Sequence, residues 1–363
     1  MDEHGGQQAS PDLDALRAFA FKVFSNLQGF MVAGTIYLGE QLGLYRALAE
    51  RGPTSADELA AATGLHARWV LEWLRAQGAA GLLEHMGDDR FLLIPAGREV
   101  LANDGSVLYA AGAFAHLPMR AQQFTETLPS FETGIGHPFD ARGAEGAEAT
   151  ERLFGNWYRQ MLVPVMIPAL AGVPDKLAGG SLAADIGCGA GVALIELARA
   201  FPHADLHGYD ISRHALERAE KNRAEAGVAN ITFHDATVDP LPDDHRFDLV
   251  MTLDCVHDMT APGDVLAALR RAVAEDGTWL WAEPKALPTY DQNVERNPMA
   301  AMMYSTSIFG CMSSAMSEPG GAGLGTLGIS EPKARQMAED AGFSRFQVHD
   351  FGNPVNIYYE VGP

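Results

Sequence analysis

Basic residues are scarce in this chain of 363 residues: 26 lysines and arginines stand against 47 aspartates and glutamates, a formal charge of −21. A field of that sign repels phosphates before contact, which argues against nucleic acid or an anionic membrane surface as a partner. Cysteine is nearly absent. Cys188, Cys255 and Cys311 lie far apart, show no Cys-x-x-Cys spacing and form no ligand pattern with nearby histidines, so neither a disulfide framework nor a metal site is expected. No uninterrupted apolar run of about 18 residues offers a membrane span. Met1-Asp2-Glu3-His4 lacks the basic and apolar regions of a signal peptide. The expectation from these absences is a reduced, cytoplasmic protein. What is present, 47% hydrophobic and 20% charged residues, is ordinary core-forming material with length for two domains.

The densest signal is the run Leu182-Ala183-Ala184-Asp185-Ile186-Gly187-Cys188-Gly189-Ala190-Gly191. It reads as a buried strand and a glycine-rich turn, followed by a helical stretch from Val192 to Ala200. Glycines there permit a tight turn with positive φ and let a ligand touch the backbone. Strand, turn and helix N-terminus together build a nucleotide-binding crevice. The spacing is not that of dinucleotide sites, where two residues separate the second and third glycines. A carboxylate at the strand end also suits a cationic amino group and opposes a pyrophosphate. Ala204 to Asp210 reads as a second strand ending in an acid, where a doubly wound sheet holds ribose hydroxyls. A helix over about 213–226, a short strand Ile231-Thr232-Phe233 running into His234-Asp235-Ala236, and strands at Phe247–Thr252 and Thr278–Glu283 continue the alternation of parallel βαβ units. Phe346–Phe351 and Val355–Val361 flank Gly352-Asn353-Pro354, a hairpin signal.

The Asp-x-Gly-x-Gly-x-Gly run, with Asp210 and Asp235 following in order, resembles motif I and its continuation in the class I S-adenosylmethionine (SAM) methyltransferases. The resemblance implies an α/β fold: a doubly wound, Rossmann-like seven-stranded sheet with an antiparallel last strand inserted beside the sixth. It implies SAM as cofactor, held by Asp185, Gly187, Gly189, Gly191, Asp210, Ile211, Asp235, Ala236 and Asp254, with Asp235 near the adenine. Leu253-Asp254-Cys255-Val256-His257-Asp258-Met259 resembles the His-Asp-Trp segment of bacterial and plant-type small-molecule O-methyltransferases, with Met259 in the place of the tryptophan. By that likeness His257 is the general base, Asp258 its neighbour and Glu283 the acid that orients it. The family also has a sulfur-methylating branch leading to dimethylsulfoniopropionate. A thioether acid of the methylthio-hydroxybutyrate kind has no proton to lose, so His257 would then only position the substrate.

Ahead of this region, Leu13 to Leu48 is apolar at helical spacing and on more than one face, which calls for a partner surface, expected to be a second copy of the chain. Thr54 to Ala60, His66 to Gln77, and the pair Gly81–Glu84 and Arg90–Ile94 form a winged helix-turn-helix pattern. A non-catalytic, DNA-binding regulator is disfavoured. The segment is net negative, and its second helix spends Trp69, Val70, Leu71, Trp73 and Leu74 on apolar contact where readers place Arg, Lys, Asn or Gln. The resemblance gives this mainly α module a dimerising role. The expected organisation is a disordered tail over 1–12, a winged-helix domain over 13–99, a helical connector over 100–173 lining the substrate pocket, and a SAM-binding domain over 174–363. Phe114, His116, Phe131, His137, Phe139, Trp157 and Tyr158 are candidates for the pocket wall. A lid is expected at about 286–328. It holds Met299, Met302, Met303, Tyr304, Met312 and Met316 before the hinge-like Gly320-Gly321-Ala322-Gly323-Leu324-Gly325. Trp157, Tyr158, Met303 and Tyr304 are the favoured substrate contacts, the acceptor being a small molecule.

Overall fold

The computed structural model describes residues 12–363, which form two compact units, one ending at Leu117 and the other running from Pro118 to Pro363. The tail expected over 1–12 lies outside the described residues except for Asp12, which caps the first helix by accepting from the Asp14 N–H.

In the first unit α1 (Leu13–Gln41) is one continuous helix of 29 residues. Gly43, left-handed at φ 68°, breaks the apolar stretch before α2 (Leu44–Ala49). The strand β1 (Thr54–Ser55) leads into α3 (Ala56–Thr63), which Ser55 and Glu58 start with a reciprocal capping box. Then come α4 (Ala67–Ala79) and a short wing of β2 (Glu84–His85) and β3 (Arg90–Leu92), in an antiparallel sheet of order β1-β3-β2. Tyr45, Trp73, Leu74 and Phe91 fill the core. A polar thread runs through it: Tyr45 donates to Gln77, and Gln77 donates to Thr35, whose carbonyl takes the Trp73 N–H. Leu101 and Ala111 also belong to this core, so the boundary falls beyond residue 99 and the first part of the expected connector is part of the winged-helix unit.

The face of α4 that would read DNA is accounted for. Arg68 pairs with Glu72 at 2.5 Å, Arg75 with Asp89 of the wing at 2.9 Å, and Arg90 with Glu58 at 2.8 Å. One expectation fails here: Trp69 is 79% exposed and does not join the apolar contact.

The second unit is built on a seven-stranded sheet. Its strands are β4 (Leu182–Ile186), β5 (Asp205–Asp210), β6 (Ile231–Asp235), β7 (Phe247–Leu253), β8 (Val273–Pro284), β9 (Arg345–His349) and β10 (Asn356–Gly362). The order is β6-β5-β4-β7-β8-β10-β9, with β4 to β8 parallel and β10 antiparallel to both its neighbours, the expected doubly wound α/β topology. Both faces are covered. One carries Leu194, Leu197 and Met251, and the other Phe247, Trp279, Trp281 and Tyr359. Because β4 leaves toward β5 on one side and β7 on the other, a crevice opens at the carboxyl ends of these three strands. The helix Gly143–Met161 packs against the helices Val192–Ala200 and Arg213–Ala226, so residues 118–173 are part of this unit and not a separate connector.

The segment expected as a hinged lid contains the helices Tyr290–Arg296, Ala300–Phe309 and Cys311–Ala315. Its glycine loop is fastened: the Ala322 N–H donates to the Thr260 carbonyl at 2.9 Å and the Thr326 N–H to Ser307 at 3.1 Å. Among the described residues no helix is long and apolar enough to cross a membrane.

Gly191 starts the helix Val192–Ala200 at φ 74°, and a Cβ there would lie 2.7 Å from Phe233. Alanine therefore adds a clash to backbone strain, and Gly191→Ala should cost about 2–4 kcal/mol. Gly189, at φ 54° with open space around its Cα, should cost only the strain of about 1–2 kcal/mol. Thermal unfolding of the two variants checks the difference.

Candidate active site

The glycine turn after β4 is locked onto the end of β5. Gly187 and Cys188 donate their N–H groups to the Tyr209 carbonyl at 2.7 and 3.1 Å. Gly189 donates to Asp210 Oδ2 at 2.8 Å, and Ser212 donates to Asp210 Oδ1 at 2.8 Å. Asp210 is buried, and burial raises its pKa despite these amides. Asp185 lies deeper. Its Oδ1 is buried without a hydrogen-bond partner, and burial, with the Asp210 charge, pushes its pKa well above the usual carboxylate range. Asp254, after β7, adopts φ 68° and accepts from the Asn356 side chain at 2.5 Å. Burial raises its pKa to about 7.

These strand ends line a cavity of about 510 Å³. Of the expected cofactor residues, Gly187, Gly189, Asp210, Ile211, Ala236 and Asp254 are on its wall, whereas Asp185 is buried and not on it. Gly191 is not, since it packs on Phe233 and Ala219. Asp235 turns away: its Oδ1 accepts from the Thr237 N–H at 3.0 Å and the Thr237 hydroxyl at 2.5 Å.

His257 sits on the short turn Val256–Asp258 and is buried. Its Nδ1 is 2.6 Å from Glu283 Oε2, and Trp281 Nε1 donates to the other oxygen of Glu283 at 2.8 Å. Its Nε2 is 3.1 Å from Asp258 Oδ1, an ion-pair distance without hydrogen-bond alignment. Burial opposes the imidazolium, but Glu283 and Asp258 outweigh it and hold the pKa well above the usual histidine range. Asp258 is pulled below the carboxylate range by His257 in spite of its own burial. Of this trio Asp258 alone reaches the cavity wall.

Cys311 joins the group from the helix Cys311–Ala315. The ligand atoms of His257, Asp258 and Cys311 lie within 4.8 Å of one another, a metal-capable gathering that the sequence spacing did not suggest. Burial raises the Cys311 pKa.

The expected substrate contacts are elsewhere. Tyr158 is in the core, with Trp157 packed against that core. Met303 is buried beside Asn297, and the Tyr304 ring lies tilted against Tyr290. Phe131 is exposed, Phe114 packs in the first unit, and His137 lines a different cavity. Phe139 does line the main one. So do Phe154, Ser314, Ser317 and Glu318, which no local motif marked.

Comparison with known proteins agrees with this geometry. Residues 180–342 match the family described as a methyltransferase domain, and residues 31–102 match the Rv2258c-like winged HTH domain. Demethylspheroidene O-methyltransferase of Cereibacter sphaeroides is 30% identical over 230 residues, covering 61% of this chain and 59% of that enzyme. The polyketide synthase ThaQ of Burkholderia thailandensis is 26% identical over 202 residues, 53% of this chain but 9% of that protein. The chain thus spans less than two thirds of either curated relative. A Nostoc punctiforme structure described as an O-methyltransferase superposes with a TM-score of 0.71 at 18% identity, covering 97% of this chain and 99% of that one. Human N-acetylserotonin methyltransferase in complex with SAM gives 0.63 at 17% identity, with 98% and 100% covered. Residues 180–342 thus match a methyltransferase domain behind a winged helix-turn-helix match over 31–102, on a fold shared with solved methyltransferases.

The residues fit SAM. Asp254, on the wall, would accept from a cationic amino group, and the orphaned Asp185 oxygen lies off the wall. Asp210 retains lone pairs for a ribose diol, and Ile211, Leu241 and Val265 supply an apolar wall. Asp210→Ala should weaken SAM binding at least about ten-fold by calorimetry. It should also lower the melting temperature, because Gly189 and Ser212 lose their acceptor.

Proposed function

We propose that this protein transfers the methyl group of SAM to an oxygen atom of a small-molecule acceptor, with His257 as general base. The observation that carries the reading is the 2.6 Å contact between His257 Nδ1 and the buried Glu283, directly behind the cavity wall. When bound, SAM supplies an electrophilic methyl group on a positively charged sulfur. Glu283 accepts the Nδ1–H bond and fixes the imidazole orientation, leaving Nε2 facing Asp258. Asp258, the member of the trio on the cavity wall, would meet the acceptor and pass its proton inward to Nε2. The two carboxylates make His257 a stronger base, and the same field keeps it protonated at neutral pH, so it must shed a proton before it can accept one.

That raised pKa also favours a second reading, methylation of a thioether. Such an acceptor has no proton to give up, and the imidazolium is then a fixed positive group.

The protein acts as a homodimer through its first unit. Along α1, Phe19 is 68%, Phe21 74% and Phe24 66% exposed on more than one side of the helix, apolar surface that a second copy would cover. A reducing cytoplasm suits the three free thiols, and the ion-paired winged helix leaves nucleic acid out of its partners.

His257→Ala should cost about 10²–10⁴-fold in turnover with SAM affinity unchanged. For an oxygen acceptor the rate should rise with pH through an apparent pKa above the ordinary histidine value of about 6.5. Glu283→Gln should move that limb to lower pH, because it removes one of the charges that raise the pKa, and should lower the plateau. A flat profile for both proteins would select the thioether. SAH release measured from pH 5 to 10 decides.

Sedimentation at micromolar concentration should report a dimer. Phe19→Asp with Phe24→Asp should yield folded monomers.

A further inference from the structure

Two arginines beside the proton-handling cluster have no counter-ion. Arg120 lies on the helix Leu117–Glu126, and Arg142 just precedes the helix Gly143–Met161. Among the described residues neither guanidinium has a carboxylate oxygen within 4.0 Å or a hydrogen bond. Arg142 only lies over the Phe139 ring, 4.7 Å from its centroid. In a chain with 47 acids and 26 bases, a half-buried arginine without an acid is a placement that needs a reason. Nearby arginines do find one: Arg159 and Arg218 share Glu151 at 3.0 and 2.7 Å.

The two cations are also near each other and near the chemistry. Burial and the adjacent Arg142 charge depress the Arg120 pKa, and Arg120 in turn feels Cys311. The Arg142 charge helps hold Asp258 ionised, and its Nη2 passes 3.4 Å from where a Cβ on Gly310 would stand, next to Cys311. Arg142 lines a second cavity of about 330 Å³, with Met119, Gln122, Thr127, His137 and Phe309. Glu126 and Glu145 also reach that cavity, but Glu126 is held by Gln122 and neither comes within ion-pair distance of Arg142. The partly buried Arg120 guanidinium is repelled by Arg142, a cost that an incoming anion offsets.

We propose that Arg142, reinforced by the charge of Arg120 off the wall, anchors a carboxylate carried by the methyl acceptor, seated in the cavity that Arg142 lines. The inference rests on reading the His257 cluster as the methyl-transfer site, and it names the acceptor class as small carboxylic acids. A single negative charge is preferred to a phosphate because the net charge of −21 repels a dianion more strongly. The planar fork of arginine matches a carboxylate edge through paired N–H donors.

The test uses the full chain saturated with SAH and matched probes: benzoate and benzamide, 3-phenylpropionate and its amide, butanoate and butanamide. By titration calorimetry, at least one acid should bind about ten-fold or more tightly than its own amide. Arg142→Met should erase that preference, Arg120→Met should weaken it, and Arg142→Lys should keep part of it. Both methionine variants should melt close to the parent, since neither guanidinium makes an ion pair or hydrogen bond among the described residues, so a lost preference is not a lost fold. Equal binding of acid and amide by the parent overturns the proposal, as does a preference that survives in both methionine variants. Inorganic phosphate that binds as tightly as the best acid overturns the choice of a carboxylate. SAH affinity in the same titrations separates the two readings. Its absence would break the methyltransferase reading, whereas intact SAH binding without an acid preference breaks only the carboxylate anchor.

Discussion

The cofactor crevice depends on one carboxylate accepting two backbone N–H groups. Asp210 ties the glycine turn after β4 to the end of β5, through Gly189 on one oxygen and Ser212 on the other. A turn rich in glycine has little intrinsic preference for any one shape, and it is costly to order. The acid supplies the missing restraint, and the restraint it supplies is at the place where the sheet order reverses. Ser212 extends the tie by donating to Asp140 at 2.6 Å, so the segment that brings Phe139 to the cavity is bound to the same point.

Around that point the fold concentrates acids at and beneath the cavity wall. Asp185, Asp254 and Glu283 end three adjacent strands, and each answers its burial differently. Glu283 has a buried indole donor and an imidazolium, Asp254 has an amide from the last strand, and Asp185 has an unpartnered oxygen. The gradient from fully paired to unpaired runs from the proton-handling end toward the cofactor end. That is the order expected if one end must be ready before a ligand arrives and the other is completed by it.

Much of this could be read along the chain. The parallel core was legible because strands buried on both faces read as continuous apolar runs, and because the glycine motif marks its own strand and helix. His257 and Glu283 were legible through strand ends and family likeness, and they meet. What escaped reading was contact between distant segments. Nothing near Cys311 says that it joins His257, and nothing near Asn356 says that it holds Asp254. Asp235 looked like a ligand residue, yet a threonine two places on satisfies it first, a competition common to short acids in turns. The boundary at Leu117 was invisible for a similar reason, since Leu101 and Ala111 enter a core whose composition does not change at residue 99.

The raised pKa values of Asp185 and Asp254 have a consequence for the order of binding and release. An acid that is neutral while the crevice is empty must give up its proton to meet a cation, so cofactor uptake expels protons and tightens as pH climbs through about 7. The amino group that would face these acids is the same before and after methyl transfer, so the proton linkage would bear on uptake and release alike, and acidification would favour letting go of either form.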